Sequence, residues 1–144
     1  MNETARRFLL GIFVLGLVGI STELLLLVHD EDLNQLIPLI LAGMAAIALA
    51  GVLVRLRSAV VRAFQLVMLL FVLSGGVGSV LHFQVNMEFQ LEMDESLRGW
   101  PLFRKAILAK APPALAPGAM IQLGLIGLAY TYRHPSLSRR GSSS

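Results

Sequence analysis

The sequence predicts an all-α membrane protein, built as an antiparallel bundle of four transmembrane helices with an extracytoplasmic helical hairpin between the third and the fourth. The chain is 56% hydrophobic and 15% charged, with a mean hydropathy of +0.72, which is too apolar for a typical soluble domain. It contains four apolar runs long enough to cross a bilayer, and basic residues collect at alternate ends of these runs. We expect residues 1–144 to form a single membrane domain.

The four predicted spans are residues 8–28, 36–54, 63–83 and 115–132. A span needs roughly twenty apolar residues, because a helix rises about 1.5 Å per residue and the hydrocarbon core is about 30 Å thick. The middle two contain no Asp, Glu, Lys or Arg. The first run follows a basic N-terminus, as in a signal peptide, but it is too long and has no A-x-A-like cleavage site. We therefore expect it to remain as the first span.

The distribution of basic residues predicts the orientation. One side of the spans carries eight basic residues and one acid, Glu3, whereas the other carries four basic residues and seven acids. The eight are Arg6, Arg7, Arg55, Arg57, Arg62, Arg133, Arg139 and Arg140. The positive-inside rule places both termini in the cytoplasm and the chain in the plasma (inner) membrane. Because the arginines are split among short flanks without interleaved aromatics, nucleic acid is not a predicted partner.

The connection after span three is the longest, and we expect it to form an outer helical hairpin over about residues 84–111. Span three should continue as a helix to about Leu97, because the segment VNMEFQLEMDESL has no helix breaker. Within it Glu88, Glu92 and Glu95 have the spacing of one acidic helix face.

Gly99 followed by Pro101 is a stop signal for that helix, and a second helix is predicted from about Pro101 to Lys110. Its apolar side includes Trp100 and Phe103. Such a helix can lie in the membrane interface or cover the end of the bundle.

Glycines on several spans predict where helices pack. Small residues allow transmembrane backbones to approach one another closely. The predicted packing positions are Gly16, Gly19, Gly75, Gly78, Gly124 and Gly127.

Glu23 is the one carboxylate within a predicted span. Glu23 lies four residues after Gly19 and seven residues after Gly16, and therefore on the same helix face as these glycines. We expect its side chain to point into the bundle interior. A carboxylate at this depth costs roughly 2.5–3.5 kcal/mol, so it usually has a partner or a function.

A polar site near the outer surface is the strongest candidate for chemistry. His29 and His82 fall at the outer ends of spans one and three, so Glu23, His29 and His82 could bind a divalent metal, with Asn86 and Glu88 as possible further ligands. The two histidines alone could hold a haem. No metal-ligand pair at helical spacing supports this set, so tertiary packing would have to assemble it.

Three functional interpretations follow. We favour a small non-catalytic subunit or scaffold of a larger membrane complex, with the lipid bilayer and either a protein partner or a second copy as its contacts. The alternatives are the metal- or haem-binding protein described above and an oligomeric ion or proton-coupled transporter. An enzyme is disfavoured because no phosphate loop, dinucleotide-binding motif or nucleophile elbow occurs.

Overall fold

The computed structural model describes residues 2–27, 36–55, 57–109 and 115–138, and every regular element in these ranges is a helix. The helices are α1 (Glu3–Leu27), α2 (Leu36–Val54), α3 (Ser58–Met93), α4 (Gly99–Ile107), α5 (Leu115–Thr131) and α6 (Pro135–Ser138). The all-α class predicted from the sequence is confirmed for this part of the chain.

Three of these helices, α1, α2 and α3, are long and apolar enough to cross a membrane. The fourth predicted span corresponds to α5, whose apolar stretch Ala116–Thr131 is shorter. At about 1.5 Å per residue, α5 covers about 25 Å, somewhat less than the hydrocarbon core. The three long helices are compatible with membrane insertion, and the fourth span stays a prediction.

The core lies between α1, α2, α3 and α5, around the nearly fully buried side chains of Phe13, Phe64, Met68 and Phe71. α3 contacts α2, α4 and α5, whereas α1 contacts α2 and α5. Within the described ranges no Cα atoms of α1 and α3 come within 8 Å of each other. These two helices meet across the core, where the rings of Phe13 and Phe64 pack edge to face with centroids 5.5 Å apart.

The α3–α5 contact is close because glycines face the neighbouring backbone. A Cβ atom on Gly75 would lie 2.5 Å from the carbonyl oxygen of Pro117, and one on Gly124 would lie 2.7 Å from that of Met68. Residue numbers rise along α3 as they fall along α5 in these contacts, so the two helices are antiparallel. A side chain at either glycine would push the helices apart.

The other predicted packing glycines divide into contacting and open positions. A Cβ atom on Gly16 would lie 2.6 Å from Leu123 Cδ2, one on Gly78 would touch Pro117 at 3.4 Å, and Gly127 faces the side chain of Met68. Gly19 has no neighbouring atom within 4 Å of its Cβ position. The structure therefore places Gly19 outside the packing contacts predicted for it.

α3 runs without interruption to Met93, four residues short of its predicted end. The backbone at Asp94 is extended, and the Asp94 carboxylate accepts hydrogen bonds from the N–H and the hydroxyl of Ser96, at 3.0 and 2.6 Å. Such side-chain bonds to nearby groups compete with the helical pattern and favour a turn. Glu95 lies in this turn, so only Glu88 and Glu92 of the predicted acidic face are helical.

α4 begins at Gly99, which the sequence pattern marks as a stop for the preceding helix. Gly99 has a φ of +56°, a left-handed conformation that glycine adopts at little cost, and it turns the chain into α4. α4 packs on α3 through the fully buried Ala106 and through Phe103, whose ring lies 5.5 Å from that of Phe83. The side-chain amide of Asn86 donates to the carbonyl oxygen of Ala106 at 3.2 Å.

Two contacts between α3 and α4 occur in the same residue order along both helices. Phe83 meets Phe103, and three residues later Asn86 meets Ala106. In an antiparallel hairpin the later residue of α4 would meet the earlier residue of α3. The order of these two contacts differs from that of an antiparallel hairpin, and the predicted hairpin topology stays a prediction.

Candidate functional site

The structure places the Glu23 side chain on the exposed surface of α1, which corrects the interior position predicted for it. The inward side of α1 is formed by Phe13, Leu17 and Ile20, which are buried, and by the partly buried Leu24. Glu23 precedes Leu24 by one residue, which is about 100° around the helix. The prediction was wrong because Gly16 faces α5 whereas Gly19 is open, so these glycines do not define one inward face.

The other predicted metal ligands do not form a cluster with Glu23 in the part of the chain that the structure describes. The side chains of His82 and Glu88 are exposed on α3, a helix diagonal to α1. Asn86 is partly buried and its amide holds α4. His29 lies outside the described residues. Among the described residues no group of three His, Cys, Asp or Glu side chains could hold a metal ion.

Glu23 belongs instead to an outward-facing row on α1, the Glu23 face, formed by Gly11, Leu15, Gly19 and Glu23 at intervals of four residues. All four are exposed, and Leu15 is 76% exposed. Neither glycine has an atom within 4 Å of its Cβ position. The carboxylate of Glu23 has no hydrogen-bond or ion-pair partner among the described residues. This row is an open strip where another helix could approach.

Hydroxyl groups beside Glu23 are already bonded within α1. Ser21 Oγ donates to the carbonyl oxygen of Leu17 at 2.7 Å, and Thr22 Oγ1 donates to that of Val18 at 2.8 Å. These bonds satisfy both hydroxyl protons within the helix. The remaining polar group on this part of the surface is the carboxylate itself.

The buried polar residues of the described chain, Thr131, His134 and Ser136, gather at the opposite end of the molecule. Together with the partly buried Gln65 they form the Thr131 cluster. Thr131 is fully buried, and its hydroxyl donates to the carbonyl oxygen of Gly127 at 3.0 Å and accepts from Gln65 Nε2 at 3.4 Å. His134 Nδ1 accepts from the backbone N–H of Ser136 at 3.3 Å. This last bond caps the short helix α6.

Arg6 of α1 adds a positive charge to the Thr131 cluster. Burial lowers the pKa of His134 below its usual value, and the nearby Arg6 guanidinium lowers it further. The Nε atom of Arg6 is buried and has no hydrogen-bond partner among the described residues. The imidazole therefore remains neutral near pH 7 and can accept the hydrogen bond from Ser136.

This cluster was not predicted from the sequence. A usable signal was present, because Gln65 and Thr131 are polar residues close to the positively charged ends of predicted antiparallel spans. Their hydrogen bond joins the N-terminal part of α3 to the C-terminal end of α5.

Comparisons of the chain with models of known protein families, with curated proteins and with solved structures found no match. The function is therefore inferred from the geometry of the chain itself.

Proposed function

We propose that the protein is an integral membrane protein in which α1, α2, α3 and α5 cross the bilayer, with both termini in the cytoplasm. It serves as a non-catalytic subunit or scaffold of a larger membrane complex and docks there through the Glu23 face. The observation that carries this proposal is the exposed carboxylate of Glu23 on an apolar transmembrane surface.

Arginines and packing contacts at the same end of α1, α3 and α5 support the proposed membrane position. The contact of Gln65 with Thr131 and that of Phe13 with Gly127 align α3, α5 and α1 at one end. Arg6, Arg62 and Arg133 lie beyond these contacts, toward that same end of the helices. A group of arginines at one end of apolar helices is the pattern of a cytoplasmic membrane boundary.

The docking role is supported by the energy of an unpaired carboxylate. Glu23 lies four residues before the end of α1, about 6 Å inside it by helix rise, between exposed Val18 and exposed Leu26. Lipid offers the carboxylate no hydrogen-bond partner. The cost of such a charge is roughly 2.5–3.5 kcal/mol at a helix centre, and it is smaller but still unfavourable at the position of Glu23. A partner helix that donates to Glu23 would remove much of this cost, and Gly11 and Gly19 would let its backbone come close.

Site-specific photo-crosslinking in the membranes of producing cells tests the docking surface. A photoreactive residue replaces Leu15 on the Glu23 face or, as a control, Ile47 on α2, since both side chains are 76% exposed. We expect protein adducts at position 15 severalfold above those at position 47. An adduct of twice 15.6 kDa identifies a second copy, and another mass identifies a different subunit.

Dependence on Glu23 distinguishes docking from random collision. In a Glu23→Leu background the adduct at position 15 should fall severalfold, whereas Glu23→Gln should retain much of it because an amide can still form hydrogen bonds. Equal adducts at positions 15 and 47, or an adduct insensitive to Glu23→Leu, would contradict the docking proposal.

A further inference from the structure

α4 and α3 enclose an open groove of about 550 Å³ on the side of α4 that faces away from the bundle core. It is lined by Gln90, Pro101, Arg104, Lys105, Leu108 and Ala109. The lining combines two cations and an amide with apolar surface, and it contains no acid. Its volume is in the range of small-molecule sites.

The two cations of this groove are open to solvent. Arg104 and Lys105 are exposed, and neither side chain forms a hydrogen bond or an ion pair with another described residue. The carboxylate of Asp94 interacts electrostatically with Lys105 but forms no ion pair with it, so one acid acts on a pair of cations. The groove therefore has positive charge available for an anion, and Gln90 can supply a neutral donor.

The position of the groove along α3 matches the depth of lipid headgroups. The apolar stretch of α3 ends near Phe83, where Phe103 of α4 packs, and Gln90 lies seven residues farther, about 10 Å by helix rise. Trp100, at the start of α4, is 71% exposed and stacks on Phe103 with ring centroids 5.3 Å apart. Exposed Trp residues are typical of the membrane–water interface.

We propose that this groove binds the phosphate of an anionic glycerophospholipid, with Arg104 and Lys105 at the phosphate and Leu108 against the apolar part of the lipid. Guanidinium and ammonium groups are the usual phosphate ligands of proteins. Each Lys or Arg near an anionic membrane surface contributes about a fivefold preference for that surface. The inference uses the proposed membrane position of α3 but does not depend on docking through the Glu23 face.

Trp100 provides a direct test because it is the single tryptophan of the chain. The full-length protein is reconstituted into phosphatidylcholine vesicles that contain equal fractions of brominated phosphatidylglycerol or brominated phosphatidylcholine, and quenching of Trp100 is measured. We expect an effective local concentration of the anionic lipid between about fivefold and about twenty-five-fold above that of the zwitterionic lipid, since each of the two cations contributes about fivefold. Equal quenching by the two lipids would overturn the proposal.

The matched variants are Arg104→Gln/Lys105→Gln in the groove and Arg57→Gln/Arg62→Gln at the other end of α3, about 40 Å away by helix rise. Each pair removes two positive charges, and Arg57 makes no side-chain cap to α3. The groove pair should lose the preference and the control pair should keep it. A preference that survives in the groove pair, or disappears in the control pair, contradicts the assignment.

Two further measurements control for misfolding of the variants and for binding of free phosphate. The helix content of each variant and its Trp100 emission in phosphatidylcholine alone should match those of the wild type, and Arg104→Gln alone replaces the double variant if they do not. Millimolar inorganic phosphate is added at constant ionic strength to separate the two sources of phosphate. If free phosphate abolishes the preference for the anionic lipid, the groove is a phosphate site and the lipid assignment is wrong.

Discussion

If the protein docks through the Glu23 face as proposed, Glu23 should have opposite effects on the isolated chain and on the complex. Exposed among Val18, Leu25 and Leu26, the carboxylate makes no bond to the described bundle, so the fold gains nothing from it. A partner that covers the Glu23 face should remove much of the cost of this carboxylate in lipid. On this proposal the free chain is less stable in the membrane than the assembled one.

Glu23→Leu should therefore leave the fold intact and stabilise the isolated protein while it weakens assembly. We expect unchanged helix content and a thermal midpoint in detergent equal to or above that of the wild type, because no bond among the described residues is lost. Circular dichroism of the purified variant measures both quantities. A large decrease in the midpoint would mean that Glu23 has a structural partner within the chain.

His134 should make stability depend on pH. Burial first, and then Arg6, lower its pKa in the folded protein below the ordinary value of 6.5, so below about pH 6.5 the unfolded chain binds a proton that the folded chain resists. The stabilising contribution is complete above that pH and is lost progressively as the pH falls. Protonation of Nδ1 also removes the acceptor for the Ser136 N–H.

The free energy of unfolding in micelles should accordingly decrease between about pH 7.5 and pH 5.5, and His134→Gln should flatten this dependence. His82→Gln is the control, because His82 is exposed on α3. An equal effect of the two substitutions would show that burial of His134 is not the cause.

The α3–α5 helix pair depends on glycines that allow close backbone contact. Gly75→Ala would place a methyl group 2.5 Å from the carbonyl oxygen of Pro117, which belongs to the backbone and cannot rotate away. We expect a loss of about 1–3 kcal/mol in the free energy of unfolding. The adjacent Gly76 has no atom within 4 Å of its Cβ position, so Gly76→Ala should be neutral or stabilising by up to about 1 kcal/mol.

Denaturant titration of both alanine variants in the same micelles measures the difference. Similar midpoints for Gly75→Ala and Gly76→Ala would indicate that α3 and α5 are farther apart than this geometry requires.

Helix positions were predictable from the sequence because apolar runs bounded by polar residues leave few alternatives, and α2 spans the predicted residues 36–54.

The faces by which the helices pack were harder to predict than their positions. Leu15 is 76% exposed and Leu17 is 7% exposed, although both are leucines in the same helix. Residues that face lipid and residues that face the core are equally apolar, so the periodicity that reveals an inward face in a soluble helix is absent.

The predicted membrane topology of the whole molecule depends on its arginines and can be measured with reporter fusions. A reporter joined after Arg57, in the short connection between α2 and α3, should report a cytoplasmic location, and one joined near Asp94 should report an external location. The opposite pattern would reverse the orientation and would move the groove beside α4 to the cytoplasmic leaflet.

The candidate sites were less predictable than the topology because they depend on tertiary neighbours. The proposed outer metal site needed α1 and α3 to be adjacent, and the structure instead places them diagonally. The Thr131 cluster needed the pairing of Gln65 with Thr131, which are 66 residues apart in sequence. Spacing within a single helix gives no information on either point.

The contact of α1 with α5 has a consequence for biosynthesis. Leu123 packs against Gly16, and Phe13 packs against Gly127. The first helix therefore packs on α5, which is synthesised about a hundred residues later. If these helices cross the bilayer as proposed, Gly16 of α1 and Gly75 of α3 lack their contacts with α5 throughout that interval. We therefore expect the final packing of α1 and α3 to form only after α5 has entered.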